Sequence, residues 1–327
     1  MATKTLFVFL ITVAFGLLAG AAEAQSLSVG FYSKTCPSAE AIVFEEVSKI
    51  LDPVPSLAAP LLRMHFHDCF VRGCDGSVLL DSTNGNVAEK DARPNLSLRG
   101  YGVIDRVKAK LEEACPGIVS CADVLALVAR DAVVLSKGPF WPVPTGRRDG
   151  LVSLANETNQ LPPPTSNIST LISMFGSKGL SVKDLVVLSG GHTIGISHCS
   201  SFNDRLYNFT GKANLADVDP TLDKEYLAKL RTICKPNDNT TFVEMDPGSF
   251  RTFDASYYKE VSKRRGVFHS DEALLTHPLT KAYVLSHAGA SEAEFFQDFG
   301  NSMINMGNVG VLTGSAGEIR KKCYAIN

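Results

Sequence analysis

The stretch Leu62–Val71, with the sequence LRMHFHDCFV, places an arginine, two histidines, an aspartate and a cysteine within an apolar run. Arg63 and His67 are four residues apart, so in a helix they share one face while His65 points elsewhere. A fixed cation beside a titratable imidazole suits proton chemistry, because the imidazole moves a proton and the guanidinium stabilises the charge that develops. The stretch therefore predicts a helix that carries an acid–base pair.

Two other interpretations of this stretch stay open at the level of its residues. Histidines in an apolar run are often hydrogen-bonded core residues. The letters HFHD also resemble the start of the H-x-H-x-D-H motif of binuclear zinc hydrolases. That motif fails in its spacing, because Asp68 follows His67 directly and no histidine closes it. Zinc hydrolysis is the weakest of the three hypotheses.

Composition and charge are those of an ordinary globular protein. The chain has 327 residues, of which 45% are hydrophobic and 20% are charged, with a formal net charge of −2. This length can bury one sizeable core or two lobes that share one. Because the charge is balanced and no polybasic run occurs, we expect no nucleic-acid partner and no membrane partner.

The first 24 residues have the pattern of a secretory signal peptide. Lys4 precedes an apolar run from Leu6 to Leu18, and Ala22-Glu23-Ala24 offers a small-x-small cleavage site. The competing interpretation is an uncleaved anchor, but the run is short for a membrane span. We therefore expect a signal peptide at 1–24 and a single domain at 25–327.

Cysteine and asparagine usage agrees with secretion. In an oxidising compartment, an even number of cysteines indicates disulfides, and eight cysteines allow 105 pairings. No C-x-x-C pair supports the alternative of a zinc site. The cysteines are Cys36, Cys69, Cys74, Cys115, Cys121, Cys199, Cys234 and Cys323. Glycosylation sequons begin at Asn95, Asn156, Asn167, Asn208 and Asn239.

Helical periodicity dominates the chain, and long alternating strand patterns are scarce. The segment Cys121–Leu135 is apolar almost all round, which predicts a central buried helix. Ser181 and Asp184 form a capping pattern before a helix that ends at Ser189. Further helices are predicted at Ser38–Leu51, Gly102–Cys115, Ser166–Phe175, Leu222–Ile233, Ser256–Arg264 and Ala282–Met306. The pattern predicts one mainly α domain.

A second histidine stands at the end of such a helix, in Leu185–Gly195 with the sequence LVVLSGGHTIG. Two glycines beside His192 permit the close approach of a large flat group. A helix end followed by a buried histidine would produce the same letters. Periodicity does not separate these two interpretations.

Taken together, these segments resemble the secreted class III haem peroxidases of plants. The motifs are LRMHFHDCFVRGCDGSVLL, SCADVLALVARD, GPFWPVPTGRRDG and DLVVLSGGHTIG, together with the eight cysteines. The resemblance extends from residue 25 to about residue 325. Phe66, where intracellular relatives tend to carry Trp, favours the secreted class. The fold that the resemblance implies is all-α, with little β structure and one haem b between a distal and a proximal helical half.

The resemblance assigns roles to the residues around the haem. His192 would be the axial ligand of the iron, and Asp271 would accept a hydrogen bond from its other ring nitrogen. For Asp271 alone, the N-cap of a following helix is the competing interpretation. On the distal side, Arg63 and His67 match the catalytic pair, and Asn95 would hold His67 as a basic acceptor. Phe66 would contact the haem, and Pro162 would contact the donor substrate at the haem edge.

The resemblance also implies two calcium ions and a disulfide pairing. Dense oxygen donors on short loops are what Ca²⁺ requires. The distal site would consist of Asp68, Val71, Gly73, Asp75 and Ser77, with Glu89 acting through water. The proximal site would consist of Thr193, Asp246, Ser249, Thr252 and Asp254. The disulfide pairs would be Cys36–Cys115, Cys69–Cys74, Cys121–Cys323 and Cys199–Cys234.

One residue departs from the pattern of this family. Met245 stands where relatives often place an aromatic ring, and a thioether can fill that space.

The implied activity is the one-electron oxidation of phenolic donors by hydrogen peroxide through high-valent haem iron. We expect a monomer that is secreted to the extracellular space or cell wall rather than sent to the vacuole, because only four residues follow Cys323. Expected roles are peroxide removal, lignin and cell-wall metabolism and the response to oxidative stress. A haem-free wall glycoprotein on the same scaffold is the alternative from another class, and intact Arg63, His67 and His192 argue against it.

Overall fold

A computed structural model describes residues 26–212 and 214–327, so the predicted signal peptide lies outside the described residues. The described chain is mainly helical, as the sequence predicts. Its α-helices are α1 (Ala39–Leu51), α2 (Ala58–Val71), α3 (Tyr101–Ala114), α4 (Cys121–Leu135), α5 (Ile168–Ser177), α6 (Val182–Ser189), α7 (Asn203–Tyr207), α8 (Lys224–Ile233), α9 (Ser256–Ser262), α10 (His269–Ala273), α11 (Pro278–His287) and α12 (Glu292–Gly307). Among the described helices, none combines the length and the apolar character that crossing a membrane requires.

The β structure of the described chain is one small sheet. Strand β1 (Ile196–His198) pairs antiparallel with β2 (Phe242–Glu244), and Ser197 lies opposite Val243. Because the strands run in opposite directions, the residues just before β1 and just after β2 meet at the same end of the sheet. This pairing joins the segment of His192 to a loop about fifty residues away in sequence.

Local signals account for the helices that surround the site. Helix α4 begins and ends where the sequence predicts, and the Ser120 side chain accepts a hydrogen bond from the Asp123 amide at its start. Helix α6 begins with the predicted capping box, in which Ser181 and Asp184 bond each other's backbone amides. Almost every residue of α4 is buried, as expected for a helix that is apolar all round.

Helix α2, which contains the opening motif, packs against α4, and α4 also packs against α1 and α3. On the other side, α6 packs against α11 and α12, and α9 packs against α11. One continuous hydrophobic core joins these helices. A smaller core lies around the sheet, α7 and α8, and includes Cys199, Cys234 and Met245. The segment of His192 lies between the two cores.

The single helix predicted over Ala282–Met306 is wrong. The structure has two helices there, α11 and α12, separated by Ala288–Ser291. The apolar pattern continues across the break because both helices bury a face in the same core. Gly289 lies within the break, and the Ser291 side chain accepts a hydrogen bond from the Ala293 amide at the start of α12.

Four disulfides cross-link the fold, three of them between residues that are 35 or more positions apart in sequence. They join Cys36 to Cys115, Cys69 to Cys74, Cys121 to Cys323 and Cys199 to Cys234, which is the pairing that the resemblance implies. The Cys121–Cys323 bridge spans 202 residues and ties the chain end to the start of α4. Cross-links of this length restrict the unfolded chain strongly.

Candidate active site

A hydrogen-bonded chain fixes the orientation of His67. Its Nδ1 atom lies 2.5 Å from Asn95 Oδ1, and Asn95 Nδ2 donates to the carbonyl of Glu89 at 2.8 Å. Because the Asn95 amide nitrogen is engaged with a carbonyl, its oxygen must accept from His67, which places the imidazole proton on Nδ1. The Nε2 atom then carries a free lone pair and makes no hydrogen bond within the described residues. His67 is thus prepared to act as a base.

The surroundings keep His67 neutral. Burial and the positive charge of Arg63 lower the pKa of His67 to about 3, and the hydrogen bond that His67 donates to Asn95 opposes this only in part. At neutral pH the imidazole is therefore deprotonated at Nε2. A neutral base beside a permanent cation is the arrangement that the spacing of the two residues predicts.

Arg63 lies on the same face of α2, one turn before His67. Its guanidinium donates to Ser97 Oγ at 2.9 Å and to the carbonyl of Pro94 at 3.2 Å. Arg63 is exposed, yet enough protein surrounds it to lower its pKa to about 10 through burial. A side chain that is both accessible and enclosed lines a recess, and Arg63 remains charged there at neutral pH.

His192 lies on a short 3₁₀ helix, Gly190–Thr193, that follows α6. Its Nδ1 atom donates to Asp271 Oδ1 at 2.8 Å, and the Tyr257 hydroxyl donates to the same oxygen at 2.9 Å. The other oxygen of Asp271 accepts from the Phe268 amide at 2.8 Å. Burial by itself would raise the pKa of Asp271, but the interactions with His192, Phe268 and Tyr257 outweigh it and lower the pKa. Asp271 is the third residue of α10, whose N-cap is Phe268, so the competing N-cap interpretation is wrong and Asp271 instead lies beside the histidine.

The Nε2 side of His192 is open, and the neighbouring Gly191 lies against α2. The His192 side chain is 39% exposed, whereas that of Asp271 is 1% exposed, so Nε2 faces open space and makes no hydrogen bond among the described residues. A Cβ placed on Gly191 would lie 3.6 Å from Leu62 Cδ2, which adjoins Arg63 on α2. The two histidine motifs therefore face one another. A free imidazole nitrogen on one side and an enclosed acid–base pair on the other fit haem.

The two glycines before His192 have different neighbours. A Cβ on Gly190 would lie 2.6 Å from both the Tyr258 hydroxyl and Phe295, so this glycine allows helices to pack. Gly191 is the one that faces α2, with Leu62 and Phe299 at ordinary contact distance. Packing therefore excludes a side chain at Gly190, whereas Gly191 has room for a Cβ, and the close approach of a flat group stays a prediction.

Buried oxygen atoms, some of them without a hydrogen-bond partner among the described residues, cluster near the end of α2. Asp68 accepts from the Gly76 amide at 2.9 Å, and Asp75 accepts from the Ser77 amide at 3.0 Å. Among the described residues, Ser77 Oγ and both carboxylate oxygens of Glu89 are buried without a hydrogen-bond partner. Burial raises the pKa of Asp68 and Asp75, and raises that of Glu89 to about 8. Buried acids and orphaned oxygens of this kind fit a Ca²⁺ ion.

A second group of oxygens lies at the end of the small sheet. Thr193, next to His192, donates from Oγ1 to Asp254 at 3.1 Å and to Asp246 at 3.3 Å. Burial and the charge of Asp254 raise the pKa of Asp246 to about 6. The Ser249 amide donates to the Asp246 carbonyl, and the Thr252 amide donates to the Ser249 carbonyl, so one loop carries all of the remaining predicted ligands. The group fits a cation bound beside the His192 segment.

Other predicted residues lie near the site without a defined contact to it. Phe66 is partly buried on α2, and its ring centroid lies 5.6 Å from that of His67. Pro162 is partly exposed in the loop after the 3₁₀ helix Ala155–Gln160, which packs against α2. Met245 is buried in the smaller core. His65 is buried beside Cys69, away from the recess, as its position in the helix predicts.

Three contributors were not predicted from the sequence. Tyr257 shares Asp271 with His192, and its ring centroid lies 5.8 Å from that of the imidazole. Ser97 and the Pro94 carbonyl orient Arg63. None of them lies in a chemical motif of its own. Ser97 attracted attention only as the third residue of the Asn95 sequon.

Comparisons with known proteins agree with this geometry. The model of the family described as Peroxidase matches residues 43–290. Peroxidase 1 of Oryza sativa subsp. japonica is 63% identical, with the full length of both chains covered. Peroxidase 27 of Arabidopsis thaliana is 63% identical with 95% of each chain covered, and Peroxidase 56 of the same plant is 60% identical over 93% of this chain and 91% of its own. This chain therefore belongs to the peroxidase family, as a haem enzyme of the plant class III type.

Proposed function

We propose that His67 and Arg63 carry the proton chemistry of peroxide reduction in this peroxidase. His67 Nε2 would take a proton from one oxygen of hydrogen peroxide and return it to the other, so that this oxygen can leave as water when bound haem supplies the two electrons that O–O cleavage requires. Arg63 stabilises the negative charge that develops on the departing oxygen. Asn95 holds the proton of His67 on Nδ1, which keeps Nε2 available. The observation that carries this proposal is the Glu89–Asn95–His67 chain of hydrogen bonds.

On the opposite side, His192 would hold the haem iron through Nε2, and Asp271 would strengthen it as a ligand by accepting the hydrogen bond from Nδ1. When bound, haem supplies an iron that peroxide oxidises and that two donor molecules then reduce, one electron each. Phe66 packs beside His67 at the haem, and Pro162 contacts the donor at the haem edge. The donors are small phenols.

We further propose that the protein holds one haem b and two calcium ions. The distal ion is bound by Asp68, Val71, Gly73, Asp75 and Ser77, with Glu89 acting through water. The proximal ion is bound by Thr193, Asp246, Ser249, Thr252 and Asp254. Buried acids whose pKa values are raised favour this assignment, because a divalent cation offsets the cost of burying their charge.

In its setting, the protein is a monomer of one domain, residues 25–327, released to the extracellular space or cell wall after a signal peptide at 1–24 is removed. There it removes peroxide and oxidises phenols for lignin and cell-wall metabolism and under oxidative stress. The four disulfides support an oxidising compartment.

One absorption experiment tests the proposed function. The purified protein is expected to show a haem Soret band that shifts on addition of hydrogen peroxide and returns on addition of a simple phenol such as guaiacol. A haem-free protein, or a Soret band that peroxide leaves unchanged, would contradict the proposal.

We predict that Asn95 carries no glycan in active, haem-loaded protein, although it begins a sequon. Its side chain is 1% exposed and both amide atoms are engaged, whereas the other four sequon asparagines are exposed. A glycan would be attached to Nδ2, the atom that donates to the Glu89 carbonyl, so it would displace the buried amide that holds His67. Glycopeptide mass spectrometry of the active fraction checks this, with the exposed Asn156 and Asn239 as internal comparisons. A sugar on Asn95 in that fraction would refute the prediction.

We predict that Asp271→Asn raises the reduction potential of the haem iron and lowers turnover about ten- to a hundredfold. The amide keeps the shape of the carboxylate but removes its negative charge from His192. Spectroelectrochemical titration measures the potential. Tyr257→Phe is the matched control, because it removes a hydrogen bond to the same oxygen and leaves the charge in place. A potential that is equal in wild type and Asp271→Asn would show that this charge does not act on the iron.

A further inference from the structure

A buried histidine outside the active site has one nitrogen without a partner. His287 closes α11, and its ring stacks on that of Tyr283 with centroids 3.9 Å apart. Its Nδ1 atom lies 2.9 Å from the Tyr283 carbonyl, which can only accept, and 3.0 Å from the Ser286 hydroxyl, which itself donates to that carbonyl, so Nδ1 carries the proton. The Nε2 atom then presents a lone pair. Among the described residues it has no hydrogen-bond partner, although His287 is only 4% exposed.

This lone pair faces acids and not a donor. Glu294 and Asp298 are four residues apart on α12, so both carboxylates lie on one face of that helix. One ligand atom from each acid and the His287 nitrogen all lie within 4.8 Å of one another. The Glu294 carboxylate is 3.9 Å from Nε2, which is beyond hydrogen-bond range. A cation bound between this lone pair and the two carboxylates would be favourable, because all three groups carry negative charge or electron density toward it.

The surroundings hold Asp298 and leave Glu294 free. The Tyr283 hydroxyl donates to Asp298 Oδ2 at 3.0 Å, and Lys183 of α6 forms an ion pair with Oδ1 at 2.7 Å. The Lys183 side chain is 61% exposed, so its ammonium can move into solvent. The Glu294 side chain is 76% exposed and can close over an ion from outside. The cluster thus contains one fixed imidazole, one oriented carboxylate and one mobile carboxylate.

We propose that His287, Glu294 and Asp298 form a binding site for a divalent transition-metal ion of the Zn²⁺ type. One imidazole and two carboxylates, with water as a fourth ligand, form a set that Zn²⁺ accepts, whereas Ca²⁺ prefers oxygen ligands alone. A histidine that binds a metal through one ring nitrogen usually donates its other N–H to a carboxylate, a backbone carbonyl or water. His287 Nδ1 has such a backbone carbonyl as its partner. None of the three residues belongs to the proposed catalytic or calcium-binding sets.

Such an ion would tie α11 to α12 across the Ala288–Ser291 connection. Helix α6, which leads to His192, packs against both of these helices. Bound metal would therefore stabilise the proximal half of the fold, by an amount that grows with the logarithm of its concentration relative to Kd.

Calorimetric titration of the haem-loaded protein with Zn²⁺ tests the site. The buffer contains enough Ca²⁺ to fill the proposed calcium sites. We expect one equivalent to bind and to raise the melting temperature. Glu294→Gln, at an exposed position that should not disturb folding, should weaken this binding about tenfold or more. Glu292→Gln, two residues away and on a different face of the same helix, should leave it unchanged. His287→Gln should abolish it, whereas His277→Gln, at the other end of α11, should not.

Lys183→Met separates this site from adventitious metal binding. Removal of the ammonium that competes for Asp298 should tighten Zn²⁺ binding, an effect that no surface site elsewhere would show. Weak binding that is equal in wild type, Glu294→Gln and His287→Gln would overturn the proposal, because the metal would then lie elsewhere. Absence of binding at millimolar Zn²⁺ would also overturn it, and would indicate that a proton on His287 balances the two carboxylates.

Discussion

Replacement of His67 by leucine is expected to lower the rate constant for reaction with hydrogen peroxide by about a hundred- to ten-thousand-fold. Leucine removes the Nε2 lone pair that accepts the peroxide proton and keeps an apolar side chain of moderate size on α2. The Asn95 oxygen would no longer accept a hydrogen bond from residue 67, while Asn95 Nδ2 would still donate to the Glu89 carbonyl. Stopped-flow absorption of the Soret band measures the rate directly.

His65→Gln is the matched control, since His65 lies two residues away on the same helix but away from the recess. Its rate should stay within a few-fold of wild type at equal haem content. If His67→Leu reacts with peroxide as fast as the control, proton transfer by His67 does not contribute to the reaction.

The burial of His67 determines how the rate of reaction with peroxide changes with pH. Only neutral His67 accepts a proton, and burial together with Arg63 lowers its pKa to about 3. The rate should therefore be independent of pH from neutrality down to about pH 4, and should fall only nearer pH 3. Arg63→Gln removes the positive charge that lowers this pKa, so the acid limb should move to higher pH. An acid limb near the ordinary histidine pKa in wild type would contradict this account.

Removal of calcium is the second change with a large expected effect. An ion present at a hundred times its Kd stabilises a fold by about 2.7 kcal/mol, which for a chain of this size corresponds to a melting temperature change of roughly 5 °C. Because Thr193 adjoins His192, loss of the proximal ion should also alter the haem spectrum. Thermal unfolding and absorption with and without a chelator measure both effects.

The effect of the chelator should grow with pH. Burial raises the pKa of Asp68 and Asp75, and raises that of Glu89 to about 8. Without a cation, the folded protein holds these protons at pH values where the unfolded chain has released them, so stability is lost as pH rises from about 4.5 to 8. Calcium replaces the protons and removes this loss. The melting temperature difference should therefore be larger at pH 8 than at pH 5.

Glu89→Gln provides a variant of matched size for this experiment. It removes one buried charge, so it should weaken calcium binding and flatten the pH dependence of the chelated protein. Glu113→Gln, whose side chain is 65% exposed on α3, should behave as wild type. Equal melting temperatures with and without chelator at pH 8 would show that calcium does not stabilise this fold.

Local sequence patterns predicted most of the helices and some of their ends. The bounds of α4 and the Ser181 capping box were predicted directly, because helix periodicity and capping depend on residues a few positions apart. The same reasoning failed between α11 and α12. There the apolar pattern runs on through Ala288–Ser291, and only packing of two helix faces into one core requires a break.

By itself, the stretch LRMHFHDCFV determined that Arg63 and His67 share a face and that His65 does not, since a helix places residues four apart together. Tertiary structure alone decided what surrounds them. Asn95 reaches His67 from 28 residues away, and Asp271 reaches His192 from 79 residues away. These contacts set which nitrogen carries the proton and which is free. Hydrogen bonds between distant segments depend on how the whole chain folds, and the local periodicity of the sequence does not reveal them.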